Sequence, residues 1–334
     1  MRVLQSFPEG RSTTNPYLLQ LNRSLRPHVD VQGFTWRRAL TSRYDIFHVH
    51  WPEIMLNGRT PSRALAKRLL FRLLLTRLRL RRTAVVRTVH NVRSHESLAR
   101  RNERLLRQFD GQTTLWIRLN PFTPVPIDSP VCTIPHGHYR QWYAQYPPRE
   151  FTPGRLLYFG LIRPYKGVGA LIHSFRQSEI SAVDGVEPSL HIVGAPQSEE
   201  LAEGVKRAAA GDERIVCALG HASDSELVQE IFAAELVVLP YAEMHNSGAA
   251  LLALSLNRPV LVPRNVVTTA LADEAGDNWV LTYDGPLTAE SLALALTRTR
   301  QTRGSSAPDL SHREWATGAN DHVEAYKRAR RTLR

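Results

Sequence analysis

Apolar runs alternate with helix-period segments along nearly the whole chain, an order that predicts a mainly parallel sheet with crossover helices. Residues 1–7 form a short strand-like run that ends at Pro8-Glu9-Gly10. In the first half, residues 44–50 and 83–90 read as buried strands, and 131–134 as a shorter one. A second series follows at 156–159, 189–194, 214–219, 236–240 and 259–262. Its near-continuous Val/Ile/Leu character fits strands covered on both faces. Between these, 224–233 reads as a helix opened by Ser223 and Asp224 with Glu226 following, a capping pattern. Five prolines in 121–135, and Pro147, Pro148 and Pro153 within 141–154, place the interdomain linker at 141–154.

The expected fold is therefore α/β, two doubly wound Rossmann-like domains. Residues 1–150 form the first, 151–312 the second, and 313–334 a last helix crossing back to the first, with Trp315 as its anchor. Ligands of such sheets bind beyond the carboxyl ends of the strands, which implies a cleft between the halves.

Composition narrows the class. Of 334 residues, 43% are hydrophobic and 22% charged, enough apolar surface for a large core and too much for wholesale disorder. Two cysteines, Cys132 and Cys217, make neither a disulfide framework nor a metal-ligand spacing, and a reducing cytoplasm is expected. Neither a leader nor an apolar run of membrane-spanning length is visible. Charge is uneven: residues 1–150 hold 25 Lys/Arg against 9 Asp/Glu, and 151–334 hold 18 against 22. The first half is expected to meet something anionic.

Two constellations carry candidate chemistry. Residues 159–169 run from a strand through Gly160, Arg163, Lys166 and Gly167 into a helix, a turn whose amides and two cations suit a diphosphate. They lack the full glycine set of a dinucleotide fingerprint and the Gly-Lys-Ser/Thr of a P-loop. In 240–254, a strand end is followed by Glu243, Asn246, Ser247 and Gly248, the last two opening an apolar helix. Those amides form a second anion site or a plain helix cap, and Glu243 can bond sugar hydroxyls.

On these residues, and on Asn257-Arg258-Pro259-Val260 after the helix, the second half resembles the donor domain of GT-B glycosyltransferases. The likeness is to the family 4-like group and the xanthan-type mannosyltransferases that act on lipid-linked sugars. The resemblance implies that Gly160, Arg163, Lys166, Asn246, Ser247 and Gly248 bind the donor diphosphate, with Glu243 at the sugar. It implies the nucleotide base near Gly194 and His221. It further implies transfer of a hexose, mannose from GDP-mannose, to a glycan or polyprenyl-diphosphate-linked acceptor. The nucleotide-sugar is then a substrate, and neither cofactor nor metal is expected. Family 4 carries a second glutamate eight positions after the first; here that count from Glu243 falls on Leu251, the register set by Pro259 points instead to Leu252, and neither is acidic. The ribose contact and the stereochemical course stay open.

In the first half, His48, His50, Trp51, His90 and Asn91 lie where strands should end. Glu9, Gly10, His50 and Trp51 are assigned to the acceptor side. His90 is the candidate base if the reaction inverts, whereas a retaining reaction requires none. The His48/His50 and His136/His138 pairs raise zinc, but no acidic or thiol ligand accompanies them. Residues 59–82 interleave nine basic residues with leucines and contain no acid. This segment reads either as a helix lying on an anionic leaflet or as a domain helix with an arginine-coated face. A cytoplasmic protein, peripheral on the inner face of the membrane, is the expectation. Two competing classes remain: a basic nucleic-acid-binding protein, and a catalytically silent scaffold of the same fold.

Overall fold

The computed structural model describes residues 1–9, 15–58, 60–90, 100–126, 129–180, 182, 185–242, 244–302 and 306–333. The chain divides into two compact units, Met1–Gly137 with His312–Arg334, and His138–Ser311. The first carries 29 Lys/Arg against 11 Asp/Glu and the second 14 against 20, so the basic character belongs entirely to the first.

The first unit is built from β1 (Arg2–Gln5), α1 (Pro16–Leu25), β2 (Asp30–Gln32), α2 (Trp36–Thr41), β3 (Ile46–Val49) and α3 (Pro61–Leu80). It continues with β4 (Ala84–Val89), α4 (Arg100–Asp110), β5 (Leu115–Arg118) and β6 (Val131–Thr133). All strand pairings are parallel, in the order β2-β1-β3-β4-β5-β6. β2 and β5 are additions to the strands expected from the sequence. β2 has polar residues at both ends, and β5 offers only three apolar residues before Arg118, so neither stands out as an apolar run.

The second unit opens with α5 (Arg140–Tyr143), β7 (Arg155–Phe159), α6 (Val168–Arg176), β8 (Ser189–Val193), α7 (Glu199–Ala209), β9 (Ile215–Ala218) and α8 (Asp224–Ala233). It closes with β10 (Leu236–Val238), α9 (Gly248–Ser255), β11 (Val260–Pro263), α10 (Val266–Ala275), β12 (Val280–Tyr283) and α11 (Ala289–Gln301). Its parallel order is β12-β11-β10-β7-β8-β9, and β12 was not among the expected strands. α8 begins with the capping box read from the sequence, Ser223 and Glu226 satisfying one another's backbone N–H groups.

Residues 138–150 pack with the second unit, so the proline-rich stretch is not where the chain changes units. Tyr139 and Tyr143 are buried in that unit's core. The Tyr139 N–H donates to Ser255 Oγ at 2.9 Å, and Arg140 donates to the Pro308 carbonyl at 2.7 Å. These side-chain ties decide the boundary. The final helix, α12 (Trp315–Arg331), belongs to the first unit, with Trp315, Tyr326 and Ala329 in its core. Gly137 fits there because a Cβ on it would stand 2.4 Å from the Trp315 indole.

α3 presents two faces. Phe71, Leu74, Leu75 and Leu78 are buried in the core, while Leu65, Leu69, Leu73 and Leu80 are 49–77% exposed. The segment is thus a domain helix that also turns an apolar stripe outward.

Candidate functional site

Each sheet reverses its winding once. In the second unit the chain proceeds outward from β7 to β8 and β9, then returns to place β10 on the other side of β7. The crevice beyond the carboxyl ends of β7 and β10 is where such a sheet binds ligands. The segments leaving these two strands are the two constellations read from the sequence.

They meet. The Ala242 N–H donates to the Tyr165 carbonyl at 2.9 Å, and Lys166 Nζ lies 3.9 Å from the centroid of the Tyr241 ring. Gly167 takes φ +68°, a left-handed conformation, and a Cβ there would stand 2.1 Å from the Pro240 carbonyl oxygen. Only glycine lets the two loops approach this closely. Gly194 serves a similar purpose: at φ +154° it lies against the Gly160 carbonyl, 1.9 Å from where its Cβ would be. Gly160, at φ +114°, faces open space, and its N–H already donates to Val193. The Gly160 amide is therefore engaged within the sheet.

Arg163 and Lys166 are half-buried, and among the described residues neither is paired with a carboxylate. Burial, reinforced by the Arg163 charge, pulls Lys166 down to about 8 from an ordinary 10.5. Two cations held together without an anion are an unsatisfied electrostatic arrangement that a diphosphate would complete. α9 starts at the same end of the sheet. Ser247 is its N-cap, Oγ accepting from the Ala250 N–H at 3.1 Å, and the amides of Gly248 and Ala249 open the helix where an anion can use them. Asn246 lies half-buried beside this cap. Glu243 lies outside the described residues. His221 is exposed beyond β9, its Nδ1 donating to the neighbouring Ala222 carbonyl at 2.7 Å. Tyr165 and Tyr241, which join the two loops, were not singled out from the sequence; aromatic residues at the two strand ends were the only signal.

In the first unit the winding reverses between β1 and β3. His50 and Trp51 follow β3, and His90 follows β4. His50 Nδ1 lies 2.9 Å from His90 Nε2, and His50 Nε2 lies 3.3 Å from Gln5 Oε1 at the end of β1. Trp51 stacks on His90, ring centroids 4.1 Å apart at 24°, and Tyr17 meets it edge-on at 5.2 Å. Burial, together with the neighbouring His136, drives His90 down to about 3, so the ring is neutral at physiological pH. His48 is bound elsewhere: its Nδ1 lies 2.7 Å from the Tyr326 hydroxyl oxygen and its Nε2 2.8 Å from Thr88 Oγ. Glu9 is exposed and pairs with Arg26 at 3.5 Å, away from the histidines' hydrogen bonds. Gly10 lies outside the described residues. Gln5, Tyr17 and Thr88 were missed, because only strand adjacency shows that they touch these histidines. Among the described residues, no three His, Cys, Asp or Glu are grouped to hold a metal ion.

A second basic feature lies between α3 and α4. A groove of about 1800 Å³ is lined by Arg72, Arg79, Arg101, Arg104 and Arg107. Among the described residues none of these guanidinium groups has a hydrogen-bond or ion-pair partner.

The glycosyl transferases group 1 family matches residues 153–300, the span that contains both loops of the cationic site. The chain is 44% identical over 329 residues to the GDP-mannose:glycolipid 4-beta-D-mannosyltransferase of Xanthomonas campestris pv. campestris, covering 98% of this chain and 92% of that one. Among solved structures, Anabaena Alr3699/HepE in complex with UDP and glucose superposes with a TM-score of 0.64 at 14% identity, covering 97% and 98% of the two chains. The E. coli trehalose-6-phosphate structure bound with UDP-2-fluoro glucose gives 0.64 at 8% identity, covering 98% and 99%. These structural likenesses establish the GT-B architecture of the fold.

Proposed function

The chain belongs to the group 1 glycosyl transferases and is a glycosyltransferase; we propose that it carries mannose from GDP-mannose to a lipid-linked glycan, inverting the anomeric carbon. One observation supports the donor site above the others. Among the described residues Arg163 and Lys166 have no carboxylate partner, and they lie at the winding reversal of the second sheet, at the same end as the start of α9. A nucleoside diphosphate leaving group needs such fixed positive charge, and a helix start with two cations supplies it without a proton donor.

The stereochemical reading follows from the curated relative. Its name pairs GDP-mannose, in which the sugar is α-linked, with a β-linked product. Direct displacement with inversion calls for a group that takes the proton of the attacking hydroxyl. His90 is assigned that role. Its ring is neutral at physiological pH and retains a lone pair. The hydroxyl oxygen bonds to the anomeric carbon, its proton passes to His90, and the bond to the diphosphate breaks with its electron pair leaving on GDP. Arg163, Lys166 and the α9 amides hold that departing charge. Glu243 is assigned to the donor sugar, Gly194 and His221 to the region of the base, and Glu9, Gly10 and Trp51 to the acceptor side.

A lipid-linked acceptor brings the protein to a membrane surface. The outward leucines of α3 and the five unpaired arginines of the neighbouring groove are assigned to that contact, apolar residues entering the interface and guanidinium groups meeting phosphates. No helix among the described residues is long and apolar enough to cross a membrane.

The test is a thermal-shift panel of GDP-, UDP- and ADP-sugars, followed by product analysis with a glycolipid acceptor. GDP-mannose should stabilise the protein, the shift should vanish in Lys166→Ala, and the product should carry a β-mannosidic bond. A shift from UDP-sugars alone, or an α-linked product, overturns the donor or the stereochemical reading respectively. Flotation with vesicles containing acidic lipids tests the surface; failure to float at low salt refutes it.

A further inference from the structure

Asn265 caps α10, and it does more than a cap requires. Its Oδ1 accepts from the Val267 and Thr268 N–H groups at 2.8 and 3.0 Å, which is all that a helix start asks of its capping residue. The other side-chain caps of this unit, Ser198, Ser223, Ser247 and Thr288, meet that need with a hydroxyl. Asn265 adds a donor: its Nδ2 donates to the Met244 carbonyl at 3.0 Å, 21 residues back along the chain. Backbone groups at both ends fix the orientation of this amide. Flipped, its NH2 group would face two N–H groups and its oxygen a carbonyl, and none of the three bonds could form.

The bond joins a firm support to the loop that leads into α9. β11, which ends at Pro263, is an interior strand paired with both β10 and β12. The Asn265 N–H donates to Thr268 Oγ1 at 2.9 Å, and that hydroxyl, on a buried residue, donates to the Pro263 carbonyl at 2.7 Å. The turn from β11 into α10 thus closes on itself. Met244 lies three residues before Ser247, the N-cap of α9, and is buried in the core of the unit. On its other side the same loop is held by the backbone bond from Ala242 to Tyr165. The path into α9 is therefore tied twice, to the turn that carries Lys166 and to Asn265.

We propose that Asn265 is a positioning residue of the donor site: its bond to the Met244 carbonyl holds the loop ahead of α9, and so sets where the Gly248 and Ala249 amides stand for the diphosphate. This rests on the reading of those amides as part of the donor site. Asn265 needs no contact with the donor, since it acts through the loop. Displacing a binding group by an ångström costs as much as about 100-fold, so a loosened loop registers in donor affinity.

Asn265→Ser separates the two roles of the side chain, because serine caps a helix as well as asparagine does but lacks the nitrogen that reaches Met244. Asn265→Ala loses both. Calorimetry on the full-length proteins should show the Kd for GDP raised about tenfold in each variant. Tm should stay within about 1 °C of wild type in the serine variant and fall by about 2–4 °C in the alanine variant. KM for GDP-mannose should rise with Kd, while KM for the glycolipid acceptor stays unchanged. In the unliganded serine variant, hydrogen exchange should quicken at Ala250 and Leu251, whose N–H groups are accepted by Ser247, and stay unchanged at Thr268. Wild-type exchange and wild-type GDP affinity in the serine variant overturn the inference and leave Asn265 a helix cap. Affinity lost only in the alanine variant, in step with its Tm, overturns it as well. Quickened exchange at α9 with unchanged GDP affinity refutes instead the placing of the diphosphate at those amides.

Discussion

Lys166→Met should make the unliganded protein more stable and the donor unable to stabilise it. Holding Lys166 at about 8 against an ordinary 10.5 means that keeping it charged in the fold costs about 3 kcal/mol at pH 7. The ammonium recovers about 1–2 kcal/mol from the face of Tyr241, 3.9 Å away. The net gain on removing the charge is then about 1–2 kcal/mol, or roughly 2–8 °C in Tm for a unit of this size. The sign of the pH dependence follows from proton counts. Between about pH 8 and 10.5 the unfolded lysine is protonated and the folded one is not, so wild-type stability rises with pH across that window. The variant's advantage should be full below pH 8 and, at about 1.4 kcal/mol per pH unit, gone by about pH 9.5. Thermal unfolding of both proteins from pH 7 to 10, with and without GDP, checks this. At one hundred times its dissociation constant, GDP stabilises wild type by about 2.7 kcal/mol, and the variant should show no such shift. A variant less stable than wild type at pH 7, or an advantage that persists unchanged to pH 10, would refute the claim that an unneutralised cation is held here.

Two further outcomes are expected. Gly167→Ala forces a side chain into a left-handed residue with its Cβ against the Pro240 carbonyl, and should cost more than about 2 kcal/mol in urea unfolding and abolish GDP binding by calorimetry. Gly211→Ala, at φ +79° with open space around it, should cost only about 1 kcal/mol and leave binding intact. In acid, the first unit should unfold before the second. His90, His136 and His322 are held at about 3, 4 and 4, so the unfolded chain binds more protons below pH 6.5, and each contributes a loss of about 1.4 kcal/mol per pH unit down to its folded value. Hydrogen exchange between pH 7 and 4 that loosens the second unit first would contradict this.

The alternation of apolar runs and helical segments was enough to read two doubly wound sheets, because buried parallel strands need continuous Val/Ile/Leu. It was not enough for β2 and β5, where three or four residues are too short a run to declare a strand and are recruited by a neighbouring one. The change of units was misplaced for a similar reason. Prolines advertise a loop, but the burial of Tyr139 and Tyr143 and the Tyr139–Ser255 bond fix where residues 138–150 belong. The residues proposed for the donor side could be singled out because they lie close together in two short segments with recognisable glycines and cations. The Gln5–His50–His90 chain was not, since it joins the ends of three strands whose adjacency, β1 to β3 to β4, exists only in the folded sheet. Net charge could not distinguish a nucleic acid from a phospholipid or a diphosphate. The partition of that charge between units, and the exposed leucines of α3 among it, carry more information than its sum.

Burial acts on both candidate sites in the same direction and with opposite consequences. It strips protons from Lys166 and from the histidines alike, because desolvation disfavours the charged form of each. In the proposed donor site the charge is wanted: the fold holds it at an energetic penalty that a bound diphosphate would relieve, and ligand affinity would gain what the empty protein lacks in stability. On the acceptor side the charge is unwanted, since a protonated His90 could not accept a hydroxyl proton. There burial secures the neutral ring. The two sites therefore respond differently to the same manipulation. Raising the pH above 8 should weaken donor binding by discharging Lys166 while leaving His90 untouched, so a rise in KM for GDP-mannose with unchanged kcat is the expected alkaline signature, and a fall in kcat alone would place the titrating group on the acceptor side instead.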